Sequence, residues 1–208
     1  MSLTLRYMNS ADVKRVVAID RLSFDLPWSE ESYTYEVHES THTYMVVLEH
    51  QAESATSPGW WRRLLAFRNG HGTHGEVVGY GGLWKIQDEA HVSTIATHPL
   101  YRGRGWGEIL LAAMVRRAIM LQAGYVVLEV RASNSVAQNL YRKYGFATRR
   151  IVEKYYRNNN EDAYEMELVL TADNIAEFEA RFAAVQARHP FTDTYTTTLH
   201  PRSQRFLS

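Results

Sequence analysis

Apolar and polar residues alternate in some stretches of the chain and recur at helical spacing in others. Alternating or continuous apolar character predicts strands at residues 3–7, 43–48, 77–86, 91–97, 125–130, 146–154 and 164–170. Helical spacing predicts helices after Ser10 or Asp12, after Ser29, over residues 108–122, from Ser133 or Asn134 to Tyr144, and from Ile175 onward. This order of elements is typical of an α/β domain with a mixed sheet.

The composition is that of a globular protein with a sizeable core. The chain has 208 residues, of which 45% are apolar and 22% charged, and its net charge is zero. We therefore expect no nucleic-acid partner, because such partners usually require a basic excess. No apolar run suits a membrane span and the first residues lack the apolar segment of a signal peptide, so we expect a cytoplasmic protein without a membrane partner.

Two observations limit the chemistry available to the chain. There is no cysteine, which excludes disulfides, thiolate metal sites and a cysteine nucleophile. Nine histidines are present, but His71 and His74 lie in a glycine-rich turn without an obvious third ligand. A zinc site needs three or four convergent ligands, so we expect no metal.

The glycine-rich segment at residues 102–107 (RGRGWG) lies between a predicted strand and a predicted helix. Glycines allow main-chain N–H groups to turn inward, and the start of a helix adds partial positive charge, so the segment suits an anion. A nucleotide P-loop would end in Gly-Lys-Ser/Thr, and a dinucleotide loop would have glycine at Glu108. The pattern Arg/Gln-x-x-Gly-x-Gly/Ala is matched by Arg102, Gly105 and Gly107. The alternative is a simple glycine turn before a helix.

That pattern is the signature of the GNAT acetyltransferase superfamily, which the chain resembles elsewhere too. Residues 128–134 (LEVRASN), followed by 139–141 (NLY) and 144–146 (YGF), are similar to those of RimI-type N-terminal acetyltransferases. The resemblance covers residues 3–170. It implies the GNAT fold, a mixed and mostly antiparallel sheet flanked by helices, and direct transfer of an acetyl group from acetyl-CoA to an amine in a ternary complex.

The resemblance also implies where acetyl-CoA binds. The pantetheine arm would contact main-chain groups of Ile95, Ala96 and Thr97 and the side chains of Asn134 and Tyr141. The remaining candidate cofactor residues surround the pyrophosphate: Arg102, Gly103, Arg104, Gly105, Trp106, Gly107 and Glu108. For Asn134 the alternative is a helix cap, and both roles are compatible.

Two residues are candidates for acid–base catalysis. Glu129 lies in a predicted strand of apolar residues, where burial would raise the pKa of a carboxyl group towards that of a useful base. RimI-type enzymes have their proposed base at the matching glutamate; the alternative is a structural salt bridge. Tyr141 is the candidate acid, because a phenol with a pKa near 10 can protonate a departing thiolate. The alternative for Tyr141 is a place in the core.

Trp28, Tyr155 and Tyr156 are candidates for binding the acceptor, with aromatic packing as the alternative. The chain departs from RimI-type enzymes by an insertion at residues 51–75 and by an extension at residues 171–208. We expect one domain over residues 1–170, then an extra helix carrying Phe178, Phe182 and Val185 that packs on the domain or on a second subunit, and a polar tail. The protein would be a monomer or a homodimer.

The expected acceptor is the α-amine of a protein or peptide N-terminus, with an alanine-initiated ribosomal protein as the reference substrate. One alternative is a lysine side chain or a small-molecule amine. Another is a coenzyme A-binding regulatory module with little turnover, although the presence of both Glu129 and Tyr141 argues against it.

Overall fold

The computed structural model describes residues 2–51 and 75–198. Its strands are β1 (Ser2–Tyr7), β2 (Thr43–Gln51), β3 (Glu76–Ile86), β4 (Glu89–Thr97), β5 (Tyr125–Arg131), β6 (Ala147–Tyr156), β7 (Glu161–Val169) and β8 (Phe191–Asp193). Its α-helices are α1 (Val13–Ser23), α2 (Glu30–His38), α3 (Trp106–Met120), α4 (Ser135–Lys143) and α5 (Ala172–Arg188). All the predicted strands and helices are confirmed, and β8 is additional.

The strands of the described chain form one sheet in the order β6-β7-β5-β4-β3-β2-β1-β8. The pairs β4–β5 and β1–β8 are parallel, and the other neighbours are antiparallel. This confirms the predicted mixed, mostly antiparallel sheet. The predicted insertion connects β2 and β3, which are antiparallel neighbours, and residues 52–74, with His71 and His74, lie outside the described residues.

The sheet opens between β4 and β5. These strands pair only over residues 89–91 and 125–127. Immediately beyond, Gly82 of β3 pairs with Thr94 while Leu83 pairs with Val92, so Ser93 is an extra residue in β4. A β-bulge of this kind bends a strand and increases its twist. The carboxyl-terminal half of β4 therefore diverges from β5 and leaves a gap in the middle of the sheet.

Helix α3 packs closely on one face of the sheet because β3 is rich in glycine. A Cβ atom on Gly81 would come within 2.8 Å of Met114 Sδ, and one on Gly79 within 2.9 Å of Leu110 Cδ1. Leu110 and Met114 are fully buried, and burial of such a side chain stabilises the fold by about 1.5–3 kcal/mol. The close approach fixes the start of α3 beside the open part of the sheet.

Helices α1 and α2 cover the opposite face. Val16, Ile19 and Tyr33 are fully buried there, against β2 and β3. The segment between these helices lies on the same face, where Trp28 packs against this cluster. Within the described ranges, no helix combines the length and apolar character needed to cross a bilayer.

The C-terminal extension is part of the same sheet. Helix α5 buries Phe178, Phe182 and Val185 in the core shared with α3, which confirms the intramolecular form of the predicted packing. Within the expected polar tail, residues 191–193 form β8, which pairs with β1, and Tyr195 is fully buried. Strand β8 has three residues, of which only Phe191 is apolar, so no periodicity reveals it in the sequence.

Candidate functional site

The loop at residues 102–107 turns sharply before α3. Gly103 and Gly105 have φ angles of 76° and 78°, in the left-handed region that suits glycine. Gly105 is the N-cap of α3. Within the described chain, the N–H groups of Trp106 and Gly107 donate to no main-chain carbonyl. These groups and the positive end of the helix dipole together form a site suited to an anion.

The side chains of this loop stabilise its shape. Arg102 Nε donates to the Thr97 carbonyl at 3.1 Å. The Arg104 guanidinium lies over the rings of Tyr101 and Trp106, at 5.3 and 5.4 Å from their centroids. The Trp106 ring is itself buried and stacked on Tyr101. Trp106 therefore belongs to the core by its side chain and to the anion loop by its N–H group.

Glu108, in the first turn of α3, connects three helices. Its carboxylate accepts from Lys143 Nζ at 2.5 Å and Tyr144 Oη at 3.0 Å, and it lies 3.5 Å from Arg188 Nη1. Burial favours a higher pKa for Glu108, but the hydrogen bonds from Lys143 and Tyr144 and the charges of Lys143 and Arg188 bring that pKa below its usual value. Its N–H donates to the Gly105 carbonyl. Contact between Glu108 and the cofactor stays a prediction.

A cleft of about 450 Å³ lies where β4 and β5 diverge. Seven of the predicted site residues line it, and they come from distant parts of the chain: Trp28, Ile95, Glu129, Asn134, Tyr141, Tyr155 and Tyr156. Ala96 and Thr97 follow Ile95 in β4 and pair with β3, but they are not among the lining residues. The loop at residues 102–107 follows β4 and reaches the cleft through Arg102, whose Nη2 donates at 3.1 Å to the Oγ of Ser23, a lining residue.

The edge of β4 that borders the cleft has no strand beside it after His91, within the described residues. Ile95 and Thr97 pair with Gly81 and Gly79 of β3 on their other side only. An unpaired strand edge presents main-chain N–H and C=O groups that can bind an extended ligand by hydrogen bonds.

Glu129 lies on β5 at the floor of the cleft, with 18% of its side chain exposed. The apolar residues of its strand predict apolar surroundings for Glu129, whereas the fold brings charged groups to it. Its Oε2 is 2.8 Å from His91 Nε2, and Glu165 of β7 is its partner in strand register. Alternating strand faces explain the difference, because neighbours in sequence point to opposite sides of the sheet.

Tyr141 faces the same cleft from α4 and is 6% exposed. Burial raises the pKa of the Tyr141 hydroxyl above its usual value, and the nearby Tyr156 adds to this effect. The hydroxyl therefore carries its proton at neutral pH and is available as a donor. Asn134 caps α4, with Oδ1 accepting from Ala137 N at 3.1 Å, and it also lines the cleft, so the predicted cap is confirmed.

Aromatic rings form the mouth of the cleft. Tyr155 and Tyr156 meet edge to face with centroids 5.1 Å apart. The Arg131 guanidinium lies 3.9 Å above the Tyr156 ring, while burial, with Tyr155 nearby, raises the pKa of Tyr156 to about 12. On the other side Trp28 stacks on Trp84 at 6.0 Å.

Asp20, which is not among the predicted site residues, is 1% exposed and lines the cleft. Its carboxylate accepts from the Trp28 N–H at 2.7 Å and from the Tyr80 hydroxyl. Asp20 thereby fixes the backbone of the α1–α2 segment at Trp28. An aspartate at i+4 from the apolar Val16 in a helix is the signal that could have indicated it.

Asp25 and Arg131 are also absent from the predicted site. Arg131 Nη2 donates to Asp25 Oδ2 at 3.2 Å, and Asn158 Nδ2 donates to the same oxygen at 2.7 Å. These contacts, which we call the mouth bridge, connect the α1–α2 segment to the β6–β7 turn across the cleft. The partners lie 106 and 133 residues apart, so no local pattern predicts them.

Within residues 2–51 and 75–198, no three histidine, aspartate or glutamate side chains are grouped so as to hold a metal ion. The site is instead a splayed sheet beside a glycine-rich anion loop, an arrangement that defines a class of coenzyme A-dependent acyltransferases. Residues 15–146 match the Acetyltransferase (GNAT) family, and the chain belongs to this family.

Known proteins of this family resemble the chain over most of its length. A Bacillus subtilis protein provisionally named ribosomal protein bS18-alanine N-acetyltransferase is 33% identical over 162 residues, which cover 78% of this chain and 92% of the relative. The crystal structure of the ribosomal-protein-S18-alanine N-acetyltransferase from Escherichia coli has a TM-score of 0.63 and 24% identity, covering 81% of this chain and 94% of that chain.

A third similar protein is Arabidopsis thaliana NAA60, solved in complex with acetyl-CoA. It has a TM-score of 0.65 and 16% identity, covering 81% of this chain and 99% of that chain. These findings confirm the RimI-like resemblance and the GNAT fold. The chain is an acetyl-CoA-dependent N-acetyltransferase.

Proposed function

We propose that this enzyme acetylates the α-amine at the N-terminus of a protein, with an alanine-initiated ribosomal protein as the reference substrate. The observation that carries the proposal is the shared cleft, because Glu129 and Tyr141 both line it. The name of the Bacillus subtilis relative supports the same acceptor.

The residues present fit acetyl-CoA. The loop offers N–H groups at Trp106 and Gly107 to the pyrophosphate, with Gly103 and Gly105 giving the turn its left-handed backbone. The open edge of β4 at Ile95 can bind the pantetheine amides along the cleft. When bound, acetyl-CoA supplies a thioester carbonyl whose carbon accepts the amine.

The chain's own residues then handle the protons. Glu129, acting through water, takes a proton from the acceptor ammonium, and the nitrogen lone pair forms the C–N bond as the C–S bond breaks. The acylated nitrogen then loses a second proton to solvent and becomes the amide. The hydroxyl of Tyr141 gives a proton to the departing thiolate and recovers one from solvent. A main-chain N–H of β4 polarises the carbonyl oxygen. The attack is direct, so both substrates are bound together.

An α-amine is the easier acceptor for this site. Its pKa is near 8, against about 10.4 for a lysine side chain, so less basicity is required to free its lone pair. Trp28 on one side and Tyr155 and Tyr156 on the other would hold the first residues of the substrate. A lysine or small-molecule amine is the second candidate acceptor, because the insertion at residues 51–75 departs from the sequence pattern of RimI-type enzymes.

A panel of acceptors tests the proposal. The protein is incubated with acetyl-CoA and three otherwise identical peptides: one with a free α-amine and no lysine, one with a blocked N-terminus and a lysine, and one with a blocked N-terminus and no lysine. A mass shift of one acetyl group on the first peptide alone is the expected result. Acetylation of the second peptide alone favours the lysine acceptor, and binding of acetyl-CoA without transfer to any amine contradicts both.

A further inference from the structure

His91 lies behind Glu129 in the structure. It belongs to the last residue pair before β4 leaves β5, and its Nε2 is 2.8 Å from Glu129 Oε2. Glu129 lines the cleft, whereas His91 does not. The imidazole ring meets Trp84 edge to face, with centroids 5.6 Å apart. His91 therefore reaches the cleft only through the carboxylate that it contacts.

We propose that His91 positions Glu129 and shares the proton that Glu129 takes from the acceptor amine, so that the two side chains act as one base. This inference rests on the proposed function of Glu129. The pairing fixes the orientation of the carboxylate, because His91 Nε2 contacts its Oε2 atom and leaves Oε1 for the cleft water. His91 is therefore a positioning residue and touches no substrate.

The charges around His91 come from several strands. Glu129 on β5, Glu165 on β7 and Glu89 on its own strand all favour the imidazolium. Burial opposes that charge and is the largest single influence, yet the carboxylates outweigh it and raise the pKa of His91 above its usual value. Arg150 of β6 counters them, since it pairs with Glu165 at 2.6 Å.

The proton balance follows from this arrangement. The reactive form contains a carboxylate on Glu129 and a neutral imidazole on His91. The acceptor ammonium loses a first proton, which passes through water to the pair, and its nitrogen keeps the electrons of the broken N–H bond for the new C–N bond. After the thiolate leaves, the nitrogen gives its second proton to solvent and becomes the amide. The pair then consists of carboxylate and imidazolium, and it returns the proton to solvent.

A direct consequence concerns the pH dependence of turnover. Because the reactive form needs neutral imidazole, the acid limb of kcat, measured with both substrates saturating, should follow the titration of His91. The limb should then lie above the ordinary histidine value, and therefore well above that of a lone carboxyl group. In His91→Gln the amide can still donate to Glu129, but it does not titrate. The limb should move to lower pH by about one unit or more, and the plateau should fall because the remaining base is weaker.

The experiment compares kcat–pH profiles of wild type, His91→Gln, His91→Ala and the exposed control His42→Gln, with thermal unfolding to check folding. A shifted limb in His91→Gln, with the Michaelis constant for acetyl-CoA unchanged, is expected. A limb at the wild-type position in His91→Gln, whatever the plateau, overturns the proposal and leaves His91 with a packing role.

A second measurement does not depend on activity. Titration of His91 by NMR in the free protein should show its pKa falling in Glu129→Gln and unchanged in Glu153→Gln, a variant on the exposed face of β6. An unchanged pKa in Glu129→Gln overturns the pairing. If the wild type shows this coupling but acetylates no amine, the proposed function is contradicted instead. The two failures are therefore distinguishable.

Discussion

Glu129 and Tyr141 carry the proposed chemistry, and each lies in a setting that suits its role. Tyr141 could be assigned only by resemblance, because a tyrosine in an amphipathic helix is usually a core residue. Glu129 could be located from its apolar strand, but its contact with His91 could not, since their hydrogen bond joins residues 38 positions apart. Residue type and local spacing therefore predict which side chains matter, while partners depend on the sheet.

Replacement of Glu129 by glutamine removes the base and keeps the shape of the side chain. We expect turnover to fall by about 10²–10⁴-fold at neutral pH. Partial recovery is expected above the pKa of the amine, near 8, where the free amine forms without help. Steady-state rates across pH measure this, with Glu153→Gln as the control. Wild-type rates at neutral pH would exclude Glu129 as the base.

Tyr141→Phe removes the hydroxyl and keeps the buried ring. We expect turnover to fall by about 10²-fold or more, because the thiolate then leaves without a proton donor. The dissociation constant for coenzyme A, measured by calorimetry, should change little. The exposed Tyr35→Phe is the matched control. Unchanged turnover would return Tyr141 to a packing role.

Gly103 and Gly105 have similar φ angles but different surroundings. Among the described residues, nothing lies within 4 Å of a Cβ on Gly103, whereas one on Gly105 would be 2.7 Å from His189 Nε2. Alanine at Gly103 should cost about 1–2 kcal/mol for the left-handed backbone alone. Alanine at Gly105 should cost more and should weaken cofactor binding.

Denaturant unfolding and calorimetry of the two glycine variants make this comparison. In Gly105→Ala, a further His189→Ala substitution should restore the stability lost through the contact with His189. The stability lost through the left-handed backbone should remain lost. Equal losses in the two single variants would show that His189 does not restrict the loop.

At the scale of elements, individual helices and strands are predictable from the sequence, whereas the opening of the sheet between β4 and β5 is not. Helix α4 follows from its Asn134 cap and apolar spacing, and β5 from its apolar run. The divergence of β4 depends on Ser93 being an extra residue against β3, which is a property of register. Register is set by pairing across the sheet, so no single-strand pattern contains it.

The mouth bridge joins two elements that are distant in sequence, and its removal tests whether it shapes the acceptor side. Asp25 is 65% exposed, so Asp25→Ala should change stability by only about 0–1 kcal/mol. We expect the Michaelis constant for the peptide to rise several-fold, because the two walls of the mouth lose their connection, with that for acetyl-CoA unchanged. The exposed pair of Arg181 and Glu177 supplies the control Glu177→Ala. Equal peptide constants in Asp25→Ala and wild type would contradict this.

At the scale of the whole molecule, the extension beyond the family's core elements is part of the structure that supports the site. The end of α5 brings Arg188 to Glu108 and His189 to Gly105, both at the anion loop. Tyr195 follows β8 and donates to the Tyr44 carbonyl at 3.1 Å. An extra helix was predictable from its periodicity; its position over the loop follows only from packing.

Phe182→Ala tests the contribution of α5 to the fold. The ring is 1% exposed and lies 4.4 Å beneath the Arg116 guanidinium. Its removal should lower the free energy of unfolding by about 3–5 kcal/mol, measured in denaturant. Val136→Ala, at a side chain that is 81% exposed, should change it by no more than about 0.5 kcal/mol. If Phe182→Ala lowered the free energy of unfolding by no more than Val136→Ala does, α5 would add little to stability.

The central claim is that acetyl-CoA and the amine occupy one cleft together and react directly. Initial rates with both substrates varied test this most directly. Double-reciprocal lines that intersect, with no acetylated protein in the mass spectrum after incubation with acetyl-CoA alone, are the predicted result. Parallel lines with an acetylated protein would contradict the account, because they would require a covalent intermediate on the chain.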